Sequence, residues 1–137
     1  MRFIFETIVT PKSVRLLVVS IVAILKKIIK EDVIYDLELA LTEACTNVLT
    51  HAYPQEERNK KIKFILEIIF QDRLIFKVID WGIEFKPPKS LPHDSSTSGR
   101  GIYIIRKIMN DFIYKRVGDR NEVIMVKKLE ENLWKKF

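Results

Sequence analysis

The stretch LTEACTNVLTHAY, residues 41–53, decides the fold. Leu41, Ala44, Cys45 and Val48 recur at helical spacing and make one apolar side. Glu43 and Asn47 stand four residues apart, so they share another face of the same helix. Tyr53-Pro54 ends it, because proline disfavours helical geometry in the residue before it. A carboxylate and an amide on one face can serve a magnesium nucleotide. Asn47 can offer its carbonyl oxygen to the metal, and Glu43 can polarise a nucleophile. Taken alone, the pair reads first as an ordinary surface pair with no chemistry.

Working outward, the helix extends over residues 34–52, with Leu37 also on its apolar side. Upstream, residues 2–10 alternate like a strand that Pro11 stops. Residues 11–30 then read as a helix, with Val14, Leu17, Val18, Ile21, Leu25 and Ile28 as its stripe. Downstream, QEERNKK (55–61) is a polar loop. Residues 61–70 and 74–80 form a hairpin turning at Gln71-Asp72-Arg73, with apolar residues on both faces, so neither reads as a free sheet edge. Residues 86–98, rich in proline and serine, read as a long loop. A third helix begins after Gly99, carrying Ile102, Ile105, Ile108, Met109 and Phe112. Residues 112–117 and 122–129 form two more strands around a Gly118-Asp119 turn. The order β-α-α-β-β-loop-α-β-β predicts an α/β (α+β) two-layer sandwich: a mixed, mostly antiparallel sheet with helices on one face, built as one domain over 1–137.

Two further motifs follow the first. VIDWGIEF (78–85) places Asp80 at the end of an apolar strand, with Gly82 in the turn. A buried carboxylate accepts a hydrogen bond, so it can select adenine, whose exocyclic amine stands where guanine has a carbonyl. Gly82 leaves room for a base to pack on the backbone. SGRGIYIIRKIM (98–109) sets Gly99 and Gly101 just before a helix, where free backbone N–H groups can cradle phosphate. Arg100 lies between them, placed to touch a phosphate or a protein partner.

In this order, E-x-x-x-N on a helix, D-x-G after a strand and G-x-G at a helix start, the motifs resemble the three nucleotide-binding boxes of the Bergerat-fold ATPases. That group includes gyrase, a heat-shock chaperone, sensor histidine kinases and mismatch-repair ATPases. TEACTNVLTHAY looks specifically like the anti-sigma factor serine kinases, and the resemblance covers essentially the whole chain. It implies ATP and Mg2+ as cofactors and serine kinase activity on a STAS-type anti-anti-sigma protein. It also implies a sigma factor as second partner, a homodimer and a cytoplasmic location. Glu43 is implied as the catalytic base and Asn47 as the magnesium ligand. Asp80, with Gly82 beside it, is implied as the adenine reader, Gly99 and Gly101 as phosphate binders, and residues 86–98 as the ATP lid. The alternative is an ATP-binding module that switches protein partners without phosphotransfer. The chain departs from the pattern at Glu84, where a second glycine is usual. It departs again at Asn121 and Glu122, near where related proteins often carry Gly-Thr facing the base; Asn121 is expected to supply a similar hydrogen bond.

Composition bounds the rest. The 137 residues suffice for a sizeable core. The single cysteine, Cys45, permits no disulfide within the chain and reads as a small buried core residue. A formal net charge of +6 suits a polyanion such as ATP or an acidic protein, and no nucleic-acid motif accompanies it. There is no P-loop, so any phosphoryl transfer uses another scaffold. The apolar run LLVVSIVAIL (16–25) is about half the ~20 residues of a membrane span and reads as a buried helix. Of the two histidines, His51 reads as a packing or hydrogen-bonding residue at a helix end, and His93 as solvated within the loop. Trp81 borders the pocket, and Tyr103 and Tyr114 read as packing.

Overall fold

A computed structural model describes residues 1–53, 61–87 and 100–135. The elements are β1 (Arg2–Ile8), α1 (Pro11–Ile28), α2 (Ile34–His51), β2 (Lys63–Phe70), β3 (Leu74–Asp80), α3 (Arg100–Ile108), β4 (Asp111–Val117) and β5 (Arg120–Lys127). Short 3-10 turns cover Glu31–Val33 and Glu131–Leu133. The sequence-based order stands, with shifted ends. α1 stops at Ile28 because Ile29 leaves the helix to bridge to Trp134, and the Lys135 amide donates to the Ile28 carbonyl. Phe112, expected on the third helix's stripe as well as in the next strand, belongs to β4 opposite Met125.

The sheet runs β1-β2-β3-β5-β4, and every described pairing is antiparallel. The expected mixed character is absent for a topological reason. α3 carries the chain past one strand position, so β4 runs in the same direction as β3. β5 then returns between them and pairs antiparallel with both. β2 and β3, apolar on both faces, are interior strands, and the edges fall to β1 and β4.

Alternation sorts the inner face. Phe64, Leu66 and Ile68 of β2, and Leu74, Phe76 and Val78 of β3, are buried against the helices. Each such side chain contributes about 1.5–3 kcal/mol relative to exposure. α2 lies between α1 and α3 and touches both. Its buried Leu37, Leu41, Ala44, Cys45 and Val48 are the side read from the sequence. Pro11 opens α1 rather than merely ending β1: Thr10 caps the helix by accepting from the Ser13 amide at 3.0 Å, and Pro11 sits at a helix start where no N–H is needed. In the run 16–25, Leu17, Val18, Ile21, Val22 and Leu25 are buried, while Leu16 and Val19 face outward. Among the described residues no helix is long and apolar enough to cross a membrane.

Candidate functional site

Three surfaces converge at one end of the sandwich: the C-terminal half of α2, the loop leaving β3, and the inner face of β4 and β5. The cleft between them is lined by Asn47, His51, Asp80, Phe85, Tyr114 and Asn121, over a floor of small and aliphatic side chains.

Helical spacing stacks Glu43, Asn47 and His51 along one face of α2. Glu43 and Asn47 meet the start of α3. A Cβ on Gly101 would lie 2.5 Å from Glu43 Oε2 and 3.7 Å from Asn47 Oδ1. The missing side chain of Gly101 is therefore what lets the helix start approach the carboxylate. Asn47 Nδ2 is buried with no hydrogen-bond partner among the described residues. A buried amide left unpaired costs about 1–3 kcal/mol, so Nδ2 is a donor suited to meet a polar ligand. Among the described residues, no group of three His, Cys, Asp or Glu side chains gathers as a metal cage. Among the described residues, the oxygen donors that meet the start of α3 are Asn47 Oδ1 and the Glu43 carboxylate. That set is too small to bind a hard cation alone, and sufficient if phosphate oxygens and water complete the shell.

Asp80 lies at the other end of the cleft and is 5% exposed. Its Oδ1 accepts from the Gly82 amide at 2.9 Å and from Asn121 Nδ2 at 3.0 Å. Burial raises its pKa above the usual carboxylate value. The hydrogen bonds from Asn121 and Gly82 and the charge of Arg116 pull it partly back. Gly82 also makes a close contact of its own. A Cβ there would sit 2.5 Å from the Ala52 Cα and carbonyl oxygen, so the glycine admits the end of α2. The Ile83 amide then donates to the Ala52 carbonyl at 3.1 Å and ties the β3 loop to that helix end. Glu84, at the departure from the glycine pattern, is exposed.

An aromatic group closes the side of the cleft. His51 stacks on Phe85 with ring centroids 4.8 Å apart, and Phe85 meets Tyr114 edge-on at 5.9 Å. Burial lowers the pKa of His51. His51 thus packs, as read from the sequence, and does so against the site. Tyr114 does more than pack: its hydroxyl donates to Asn121 Oδ1 at 2.6 Å and accepts from the Phe85 amide at 3.1 Å. Arg116 Nη1 donates to the Gly82 carbonyl at 2.8 Å and to Asn121 Oδ1 at 3.1 Å. Neither Phe85 nor Arg116 stood out in the sequence. The signal was the alternation of β4, which puts Phe112, Tyr114 and Arg116 on the inner side.

The structure thus brings together Glu43, Asn47, Asp80, Gly82 and Gly101. Arg100 is exposed at the start of α3. Gly99, His93 and residues 88–98 of the expected lid lie outside the described residues. Trp81 is half-buried, with Lys63 Nζ 4.8 Å from its ring centroid. The Cys45 thiol, fully buried, is pushed up to about 12 by desolvation and is chemically quiet.

Known proteins resemble the chain over most of its length. A family model described as the histidine kinase-like ATPase domain matches residues 9–127. Proteins named Serine-protein kinase RsbW are 34% identical over 95 residues in Bacillus cereus (strain AH187) and 33% identical over 95 residues in Bacillus mycoides (strain KBAB4). Each match covers 58% of this chain and 55% of the relative, so the chain spans about half the length of the curated relatives it matches.

Proposed function

Since the chain belongs to the histidine kinase-like ATPase domain family, we propose that it is an ATP-dependent serine kinase and anti-sigma factor. Its substrate on this reading is a serine of a STAS-type anti-anti-sigma protein. The observation that carries the proposal is the polarity of the cleft. A buried acceptor, Asp80, stands at one end, and Glu43 and Asn47 meet the glycine-opened start of α3 at the other.

Each end has a task. Asp80 Oδ1 is already held by two donors, and Oδ2, which no hydrogen bond among the described residues engages, would accept from an exocyclic amine. The aliphatic floor and the His51–Phe85 pair shield the base. Gly99, Arg100 and Gly101 bind phosphate, the N–H groups of the helix start meeting its oxygens. Asn47 Oδ1 would hold Mg2+, whose charge neutralises phosphate oxygens when it is bound. Glu43 orients the serine hydroxyl and takes its proton as the oxygen attacks the γ-phosphorus. The new P–O bond forms as the bond to the β-phosphate oxygen breaks, leaving ADP and a phosphoserine. Residues 86–98 act as the lid.

Phosphorylation adds about −1.5 to −2 charge at the partner's interface and releases it. The freed domain, as a homodimer in the cytoplasm, then holds a sigma factor. The test is incubation with labelled ATP and Mg2+ beside STAS proteins from the same genome. Label should enter one STAS protein at serine. Nucleotide binding with no transfer to any of them would refute the kinase and favour a regulatory module that switches partners on binding ATP.

A further inference from the structure

Asn121 lies on β5 directly opposite Asp80 on β3 and is 3% exposed. Its side chain is fully engaged. Nδ2 donates to Asp80 Oδ1 at 3.0 Å and to the Ile83 carbonyl at 2.7 Å. Oδ1 accepts from the Tyr114 hydroxyl at 2.6 Å, Arg116 Nη1 at 3.1 Å and the Phe85 amide at 3.4 Å. A side-chain amide has two N–H donors and one acceptor oxygen, so nothing is left over for a ligand. Asn121 therefore does not supply the direct hydrogen bond to a base that its position suggests. It acts on a base only through Asp80.

The two ends of an amide have the same shape, and only their partners decide which way it points. Here the partners are one-sided. The Arg116 guanidinium and the Phe85 N–H can only donate, and the Ile83 carbonyl can only accept. Turning Asn121 over would set its NH2 against donors and its oxygen against an acceptor. Arg116 is itself held, since it also donates to the carbonyls of Gly82 at 2.8 Å and Gly118 at 3.1 Å.

The consequence falls on Asp80. With NH2 facing it, Oδ1 is occupied as an acceptor, and among the described residues no hydrogen bond engages Oδ2. An inverted Asn121 would offer Asp80 an oxygen instead. The two oxygens would repel, and relieving that, by turning the carboxyl or by sharing a single proton between Asp80 Oδ1 and the amide oxygen, would shift or weaken the acceptor that Oδ2 presents to an exocyclic amine.

Resting on the nucleotide-site reading above, we propose that Tyr114 and Arg116 are positioning residues for base selection. They hold Asn121 in one orientation, so that Asp80 presents an acceptor and excludes guanine. Their effect on the base runs through the Asn121 amide.

The test is calorimetric binding of ADP and GDP to the parent, Tyr114→Phe, Arg116→Met and Arg116→Lys, with unfolding midpoints for each. The parent should prefer ADP. Tyr114→Phe and Arg116→Met should each cut the ADP-to-GDP affinity ratio by roughly tenfold, the effect of one lost hydrogen bond to a polar site. Arg116→Lys keeps a cation and a donor and should recover most of the ratio. A purely structural role would weaken both nucleotides alike and leave the ratio unchanged. Tyr114→Phe removes only one oxygen and serves if Arg116→Met does not fold. Folded variants that keep the parent ratio overturn the proposal. A parent that binds neither nucleotide, or both equally, overturns the underlying site reading instead, and shows this before any variant is made.

Discussion

Gly82 and Gly101 both lack room for a Cβ, yet alanine at each should fail in a different way. At Gly82 the added carbon would lie 2.5 Å from the Cα and carbonyl oxygen of Ala52 and 2.6 Å from its Cβ. Comfortable carbon contacts are about 3.5–4.0 Å, and these neighbours are mostly backbone that cannot rotate aside. Relief means parting the β3 loop from the end of α2, which stretches the Ile83–Ala52 hydrogen bond. Overpacking costs about 1–3 kcal/mol and a lost hydrogen bond about 1 kcal/mol, so Gly82→Ala should destabilise by roughly 2–4 kcal/mol. For a chain of this size that lowers Tm by roughly 8–15 °C. At Gly101 the 2.5 Å neighbour is Glu43 Oε2, the far end of a flexible side chain. It can swing away, and alanine gains up to about 1 kcal/mol over glycine within a helix. Gly101→Ala should therefore unfold at or above the parent temperature. Its phosphotransfer should fall by roughly 10²-fold, because the carboxylate is displaced by about 1 Å from its working place. Thermal unfolding and a single-turnover assay on both variants decide it. A Gly101→Ala protein less stable than Gly82→Ala, or one transferring phosphate at the parent rate, would refute the reasoning.

Three other outcomes are expected. Glu43→Gln should leave nucleotide affinity within a few-fold and slow phosphotransfer by roughly 10²–10⁴, while Asn47→Ala should weaken Mg-ATP more than metal-free nucleotide; titrations with and without Mg2+, set beside single-turnover rates, separate the two roles. Asp80→Asn should raise the unfolding midpoint at pH 7 and abolish the preference for ADP over GDP. The sign follows from burial. The folded pKa of Asp80 lies above the unfolded one, so the folded state holds the proton more tightly, and stability falls as pH rises from the ordinary carboxylate value through the folded one. The neutral amide removes that loss, and an equal or lower midpoint at pH 7 would contradict it. Native Cys45 should resist thiol reagents and react only after unfolding, as mass spectrometry before and after denaturant can show.

The fold was largely legible because its signals are local and redundant. The α2 stripe, the Pro11 boundary and the two-faced hairpin each state a burial pattern that the structure repeats. What the sequence could not state is which strands meet. The insertion of β5 between β3 and β4 joins Asp80 to Asn121 across 41 residues. No periodicity within either strand contains that pairing. The end of α1 was misplaced for the same reason, since Ile29 leaves the helix for a partner near the other terminus.

The same division explains the site. Glu43 and Asn47 were readable because one helix fixes their spacing, and Asp80 because it ends an apolar strand. Arg116 was not, because an arginine in an alternating edge strand looks solvated until its neighbours are known. Once β5 sets Asn121 beside Asp80, one amide must serve an acceptor on one side and donors on the other. Tyr114 and Arg116, on a strand distant from Asp80 in sequence, and Phe85, on the loop that follows Asp80, are those donors. Base recognition on this reading is therefore a property of the strand order as much as of the aspartate. A variant that kept Asp80 but reversed the Asn121 amide would keep every sequence motif and lose the selectivity.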